Sequence, residues 1–169
     1  LFLNCGIRRS ELVNLNLSDV YEDRIRVIGK GNKERFVYFG SACRKAIDAY
    51  LPERNQKVLT DNRALFGSRD NNRISVTAVH RLVKKALLQA GLDSTQYSAH
   101  KLRHTAATMM LSGGVDVKTV QEVLGHENLN TTQIYTHIES TELKIAAEAN
   151  PLSKLDFSEK IEDNVESNR

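Results

Sequence analysis

The chain has 169 residues, 40% of them hydrophobic and 27% charged, which is an ordinary composition for one soluble globular domain. No apolar run approaches 18 residues and no secretory leader is recognisable, so we expect a cytoplasmic protein without a membrane span. The two cysteines, Cys5 and Cys43, lack metal-ligand spacing and are expected to be free thiols. Lys and Arg number 24 against 21 Asp and Glu, an excess too small to indicate a nucleic-acid partner by itself.

The two ends of the chain differ in character from its body. It opens on Leu1-Phe2-Leu3 without a methionine, so we expect a fragment that begins inside an apolar element. Residues 151–169 carry five acidic and three basic residues, so the body before them holds all of the positive excess. We therefore expect one domain over 1–150 followed by a separate C-terminal tail over 151–169.

The first predicted elements are a helix and a hairpin. Gly6 predicts a turn, and the spacing of Leu12 and Leu15 indicates a helix that starts near Arg8. The run Gly29-Lys30-Gly31-Asn32-Lys33 is a strong turn signal between segments rich in β-branched and aromatic residues, Ile25 to Val27 and Phe36 to Phe39. This pattern predicts a β-hairpin with lysines near its bend.

Helices are predicted for most of the remaining chain. The first runs over 41–51 and ends at Pro52, and the second runs over 77–90, with Thr77 as a candidate N-cap. Two more follow: one is capped by Ser98 and runs to Leu111, and the other is capped by Asp116 and ends at Gly125. A short helix holding Tyr135 and a last one from Ser140 or Thr141 to Ala149 complete a mainly α-helical α+β protein with a small antiparallel sheet.

Two arginines are candidate phosphate ligands. The guanidinium groups of Arg8 and Arg103 can each donate two parallel hydrogen bonds to phosphate oxygens and stabilise a pentacoordinate transition state. Either arginine taken alone is more often a surface or ion-pair residue. The sequence His100-Lys101-Leu102-Arg103-His104 places His100 one helical turn before Arg103, so both side chains can point at one target.

Three further observations leave alternatives open. His100 and His104 have the spacing of a zinc-binding pair, but Lys101 stands where the metalloprotease pattern needs Glu. Leu124-Gly125-His126 leaves a histidine beyond a helix end, where it can donate to a phosphate or cap the helix. Tyr135 is a nucleophile only in the company of such groups, and otherwise a half-buried packing residue.

Taken together, these motifs resemble the tyrosine recombinase (phage integrase) family, with Xer-like bacterial recombinases the nearest in pattern. The resemblance rests on Gly6 to Leu12, the 29–33 hairpin, 100–105, 124–126 and Tyr135, and it extends to about Ala149. It implies the family's catalytic core fold. It also implies that residues before Leu1 are missing, because family members carry an N-terminal DNA-clamping domain.

The resemblance also implies roles for six residues. Tyr135 attacks the scissile phosphate and forms a 3′-phosphotyrosyl bond, while Arg8, Arg103 and His126 hold the phosphate. Lys30 protonates the leaving 5′-oxygen, and His100 assists the tyrosine as a proton acceptor or a phosphate ligand. Nearby cations favour the anion of a phenol whose ordinary pKa is about 10. The covalent ester preserves the bond energy, so we expect no cofactor and no metal.

The expected partners are double-stranded DNA at a specific recombination site and other recombinase protomers, as a tetramer on DNA and a monomer alone. We expect no membrane partner, and association with the bacterial nucleoid when DNA is bound. Leu152, Leu155, Phe157 and Ile161 form a candidate apolar strip that docks on a neighbouring protomer. The alternatives are a non-catalytic DNA-binding regulator, a type IB topoisomerase-like enzyme and a zinc hydrolase.

Overall fold

The computed structural model describes residues 1–93, 95–125 and 140–154, without the side chains of 30, 140–142 and 154. The described elements confirm a mainly helical α+β fold with one small antiparallel sheet. Its helices are α1 Phe2–Cys5, α2 Arg9–Asn14, α3 Ser41–Gln56, α4 Val76–Gln89, α5 Ala99–Ser112, α6 Val117–Leu124 and α7 Ser140–Ala149. Its strands are β1 Arg24–Ile28 and β2 Glu34–Tyr38. In this part of the chain, no helix has the length and apolar character that a bilayer span requires.

The predicted hairpin is confirmed. Strands β1 and β2 pair antiparallel from Arg24 opposite Tyr38 to Ile28 opposite Glu34. Alternate residues face the core, so Ile25, Val27 and Val37 are buried. The chain reverses over Lys30–Asn32, where Gly31 takes a φ of 71°, a left-handed conformation that glycine adopts without strain.

Helix α3 departs from the prediction that Pro52 ends it, because it continues to Gln56. Proline removes one helical hydrogen bond, so the last turn needs other support. Arg54 supplies this support: its buried guanidinium donates to the carbonyl oxygens of Ala64 at 2.9 Å, Asn62 at 2.9 Å and Lys57 at 3.1 Å. Tertiary contacts therefore extend the helix past a residue that would end it in isolation.

The helix caps were mostly predicted. Ser98 caps α5, Asp116 caps α6, and Gly125 ends α6 in the left-handed conformation. The prediction for α4 was wrong by two residues, because Ser75 rather than Thr77 is the N-cap and accepts from the backbone N–H of Ala78 at 3.1 Å. Ser75 lies in the extended conformation that a cap requires, whereas Thr77 already belongs to the helix.

The core lies between the hairpin and the helices packed around it. It contains residues from the hairpin and from several helices, including Ile7 of the α1–α2 turn, Val37 of β2, Met110 of α5 and Val120 of α6. Cys5 and Cys43 are both buried in this core as free thiols, as predicted. The buried face of α4, formed by Val79, Val83 and Leu87, closes one side.

The start of the predicted tail packs on its own chain. After α7, residues Pro151–Lys154 form a 3-10 turn beside α3, and Ser153 is buried. The Ser41 hydroxyl donates to the Ser153 carbonyl at 3.2 Å. Leu152 is partly buried here. The other residues of the predicted apolar strip lie outside the described residues: Leu155, Phe157 and Ile161.

Candidate active site

Arg8 stands at the start of α2, as predicted. Gly6 makes this possible with a φ of 58°, and a Cβ there would lie 2.5 Å from the Leu124 side chain, so only glycine fits the turn. Arg8 is the N-cap residue of α2. Its guanidinium donates to Glu11 at 2.9 Å and to the Gly125 carbonyl at 2.8 Å. These two bonds fix the direction of a side chain that is 39% exposed.

The Glu11 carboxylate is the buried anion of the site, with 2% of its side chain exposed. One oxygen accepts from the side chains of Arg8 and Arg35, both at 2.9 Å. The other accepts from the backbone N–H of Arg8 at 2.8 Å and again from Arg35 at 3.1 Å. Burial opposes ionisation, but these hydrogen bonds prevail and hold the pKa of Glu11 below its ordinary value.

Arg103 reaches the same region from α5 and is 7% exposed. It donates to the Gly6 carbonyl and, at 2.6 Å, to the Leu124 carbonyl. Burial, with the positive charge of Arg8 adding to it, lowers the pKa of Arg103 to about 10. A bound anion would therefore stabilise the charged form of Arg103, because a nearby negative charge offsets the unfavourable effects of burial and of Arg8.

The carboxyl end of α6 is where these groups meet. Its last carbonyl groups have no partner within the helix and carry the negative end of the helix dipole. Guanidinium groups satisfy them: Arg35 donates to Val123 at 3.3 Å, Arg103 to Leu124, and Arg8 to Gly125. The cluster of three arginines and one glutamate has a net charge of two positive units, which favours binding of a phosphate.

A cleft of about 390 Å³ opens beside this cluster. Its lining includes Arg8, Arg103 and His100, which lies exposed one turn before Arg103. His104 lies edge-on to His100, with 5.9 Å between the ring centroids. In residues 1–93, 95–125 and 140–154, no group of three or more His, Cys, Asp or Glu side chains is placed to hold a metal ion. The structure thus brings together three of the six predicted site residues.

Of the other three predicted residues, the structure describes only the backbone of Lys30. The backbone of Lys30 lies in the hairpin turn, where the neighbouring Gly29 faces Arg35 and Glu11. His126 follows Gly125 directly, and like Tyr135 it lies outside the described residues. The roles of all six predicted residues stay predictions.

Two residues of the cluster, Glu11 and Arg35, were not singled out from the sequence. Glu11 lies three residues after Arg8, the spacing at which a glutamate can accept from the backbone of the residue that starts a helix. Arg35 pairs with Val27 in the hairpin, and strand alternation places it on the side of buried Val37. An arginine on the core-facing side of a strand needs a buried partner, and this was the signal in the sequence that could have identified Arg35.

Comparison with known proteins agrees with the fold. Residues 1–142 match the phage integrase family. The chain therefore belongs to the phage integrase family, the family that its motifs resemble.

Among curated relatives, the chain is similar to tyrosine recombinase XerC of Caldanaerobacter subterraneus subsp. tengcongensis, with 56% identity over 155 residues. That alignment covers 91% of this chain and 44% of the relative. XerC of Corynebacterium glutamicum is 46% identical over 140 residues, which cover 82% of this chain and 44% of the relative. The chain thus spans about half the length of the curated relatives it matches.

Solved structures give the same result. The crystal structure of XerA recombinase superposes with a TM-score of 0.70 and 38% identity, covering 85% of this chain and 53% of that chain. XerH recombinase bound to its difH substrate before cleavage gives a TM-score of 0.66 and 29% identity, covering 83% of this chain and 42% of that chain.

Proposed function

We propose that the protein is a site-specific DNA recombinase that breaks and rejoins DNA through a covalent 3′-phosphotyrosine intermediate. The observation that carries the proposal is that Arg8, Arg103 and His100 line one cleft. The carbonyl groups at the end of α6 hold the two guanidinium groups in place. Two fixed guanidinium groups can bind both non-bridging oxygens of one phosphodiester and stabilise the charge that develops in the transition state.

In the proposed reaction, the Tyr135 oxygen attacks the scissile phosphorus while the bond from phosphorus to the 5′-oxygen breaks. The phenol proton passes to His100, and the leaving 5′-oxygen takes a proton from the ammonium group of Lys30. Arg8, Arg103 and His126 hold the phosphate oxygens throughout. Religation is the reverse, with the 5′-hydroxyl of a partner strand attacking the phosphotyrosine.

The proposed partners are double-stranded DNA and further copies of the protein. The XerH structure is a complex with its DNA substrate, and that protein shares 29% identity with this chain. Assembly as a tetramer on DNA would supply four tyrosine nucleophiles, one for each of the four strands that two exchanging duplexes bring together. Because Ser153 is buried against its own chain, the segment proposed to dock on a neighbouring protomer starts after it.

A nicked suicide substrate tests the proposal, because loss of a short 5′-end fragment leaves the enzyme trapped on DNA. With the protein at its full encoded length, we expect a covalent adduct that Tyr135→Phe abolishes without weakening DNA binding. Tyr97→Phe, a change at an exposed tyrosine in another part of the chain, should leave the adduct intact. Binding without any adduct would instead support a DNA-binding regulator. Adduct formation with relaxation but no strand exchange would support a topoisomerase-like enzyme.

A further inference from the structure

Arg35 occupies the centre of the charged cluster without belonging to the cleft. It lies on β2, with 18% of its side chain exposed. Its fork binds both oxygens of Glu11, at 2.9 and 3.1 Å. The same guanidinium donates to the carbonyls of Val123 at 3.3 Å and Leu124 at 3.4 Å. One side chain of the hairpin therefore holds both α2 and the end of α6.

Two glycines next to predicted site residues lie against this guanidinium. A Cβ built on Gly125 would be 2.8 Å from the central carbon of the Arg35 guanidinium, which is closer than side chains approach. A Cβ built on Gly29 would be 3.5 Å from an Arg35 nitrogen. Gly125 directly precedes His126, and Gly29 directly precedes Lys30. Arg35 thus packs closely over Gly125 and faces Gly29, the residues that precede His126 and Lys30.

We infer that Arg35 is a positioning residue, which holds Arg8, the chain entering His126 and the Lys30 turn in the one arrangement that acts on a single phosphate. The inference rests on the proposed function. Arg35 acts through Glu11, because the Glu11 carboxylate accepts hydrogen bonds from both Arg35 and Arg8 and so orients Arg8. Its nitrogens are directed at Glu11 and at backbone carbonyls, so it is not itself a phosphate ligand.

A lysine could not replace this arrangement. A guanidinium is planar and donates along several fixed directions, so it can bind a carboxylate with two bonds and still reach a carbonyl. An ammonium keeps the charge but cannot fork onto both oxygens of Glu11. Arg35→Lys and Arg35→Gln therefore separate the effect of geometry from that of charge.

The matched control is Arg26 on the other strand of the hairpin. It also binds a buried carboxylate with two nitrogens, Asp19 at 2.7 and 2.9 Å, but among the described residues its hydrogen bonds go to Asp19 and Glu34 and not to α6. We expect Arg35→Gln to lower the single-turnover rate of adduct formation at saturating DNA about 100-fold, the cost of a small misplacement of catalytic groups. DNA affinity should stay near wild type, Arg35→Lys should be intermediate, and Arg26→Gln should cleave normally.

The pH profile separates positioning from general destabilisation. The charged groups that face Glu11 are Arg8 of α2, Arg35 of β2 and Arg103 of α5. Without Arg35, Glu11 remains buried with fewer donors, so its pKa rises and Arg8 loses its anchor at a higher pH. The acidic limb of the rate profile should therefore move upward in Arg35→Gln, whereas a purely structural defect would lower the rate equally at every pH.

A second measurement decides the inference without cleavage. Inorganic phosphate is titrated while the side-chain NMR signals of Arg8 and Arg103 are followed, and Arg35→Gln should bind it more weakly than wild type and Arg26→Gln. If the wild type forms no adduct, the proposed function fails, and this titration still judges Arg35. Equal phosphate binding in Arg35→Gln, or an unchanged rate and pH profile at saturating DNA, would overturn the inference.

Discussion

Arg8 and Arg103 donate to consecutive carbonyl groups, Gly125 at 2.8 Å and Leu124 at 2.6 Å, although they belong to different helices. The end of α6 therefore aligns both guanidinium groups. Each guanidinium carries five N–H donors, so donors remain for a ligand after these bonds form. We therefore expect the two guanidinium groups to bind one anion together near Gly125.

Arg103→Lys should abolish most cleavage. A single ammonium cannot satisfy the carbonyls of Gly6 and Leu124 and also fork onto a phosphate. We expect a loss of about 10²- to 10³-fold in the single-turnover rate, the usual effect of removing one oxyanion donor. Arg63→Lys is the control, because Arg63 is 85% exposed and binds Asp61 at 3.3 Å. Cleavage by Arg103→Lys at the wild-type rate would exclude Arg103 as a phosphate ligand.

The turns and helix ends that position this site were predicted from local sequence signals, whereas its long-range contacts were not. The Gly6 turn, the hairpin bend and the Gly125 helix end each follow from neighbouring residues. The bond from Arg8 to Gly125 spans 117 positions, and no local pattern specifies it. The same reason explains Pro52, since the contacts that extend α3 come from residues after the helix. Arg35 was missed because its partners, Glu11 and the end of α6, lie 24 to 89 positions away. Glu11 has a local signal in its spacing from Arg8, but its bonds to Arg35 are long-range.

Gly125→Ala should reduce both stability and cleavage. Its φ of 64° strains any other residue by roughly 1–2 kcal/mol, and the new Cβ would also displace the Arg35 guanidinium. Gly91→Ala is the matched control, because Gly91 has a φ of 72° with nothing within 4 Å. Urea unfolding should show a greater loss for Gly125→Ala than for Gly91→Ala, and only Gly125→Ala should slow adduct formation. Identical behaviour of the two variants would contradict the close approach of Arg35.

Acid should destabilise the fold through Glu11. Its pKa is lowered in the folded state, so its contribution to stability is present above the ordinary value of 4.5 and is lost as pH falls through the folded value. Glu11→Gln removes the charge but leaves Arg8 and Arg35 in place. We expect it to cost about 3 kcal/mol at pH 7, as breaking a buried ion pair does, and to flatten the pH dependence below the ordinary value of 4.5. Chemical unfolding at each pH measures both effects, and parallel curves for variant and wild type would exclude Glu11 as the source.

Phosphate should stabilise the folded protein. Arg103 is 7% exposed, and burial together with the positive charge of Arg8 lowers its pKa to about 10, so a bound anion is expected to stabilise its charged form. Phosphate at about 100 times its Kd should add about 2.7 kcal/mol, visible as a rise in Tm. Phosphate also stabilises proteins by exclusion from their surfaces, so Arg8→Ala serves as the control for specific binding. An equal rise in the variant would show that the cleft does not bind the anion.

Lys30→Ala should slow cleavage of ordinary DNA and leave cleavage of a sulfur-substituted substrate nearly unchanged. Gly29 faces the side chains of Arg35 and Glu11, so the backbone of Lys30 follows a residue on the side of the Arg8 cluster. An alkoxide is a poor leaving group and needs a proton, whereas a thiolate leaves without one. General acids contribute about 10²- to 10⁴-fold, so the oxygen substrate should slow by that order in Lys30→Ala. Lys57→Ala, at an exposed lysine paired with Glu53 at 2.7 Å, should cleave both substrates normally. If Lys30→Ala cleaves the sulfur and oxygen substrates with equal defects, another group donates the proton to the 5′-oxygen.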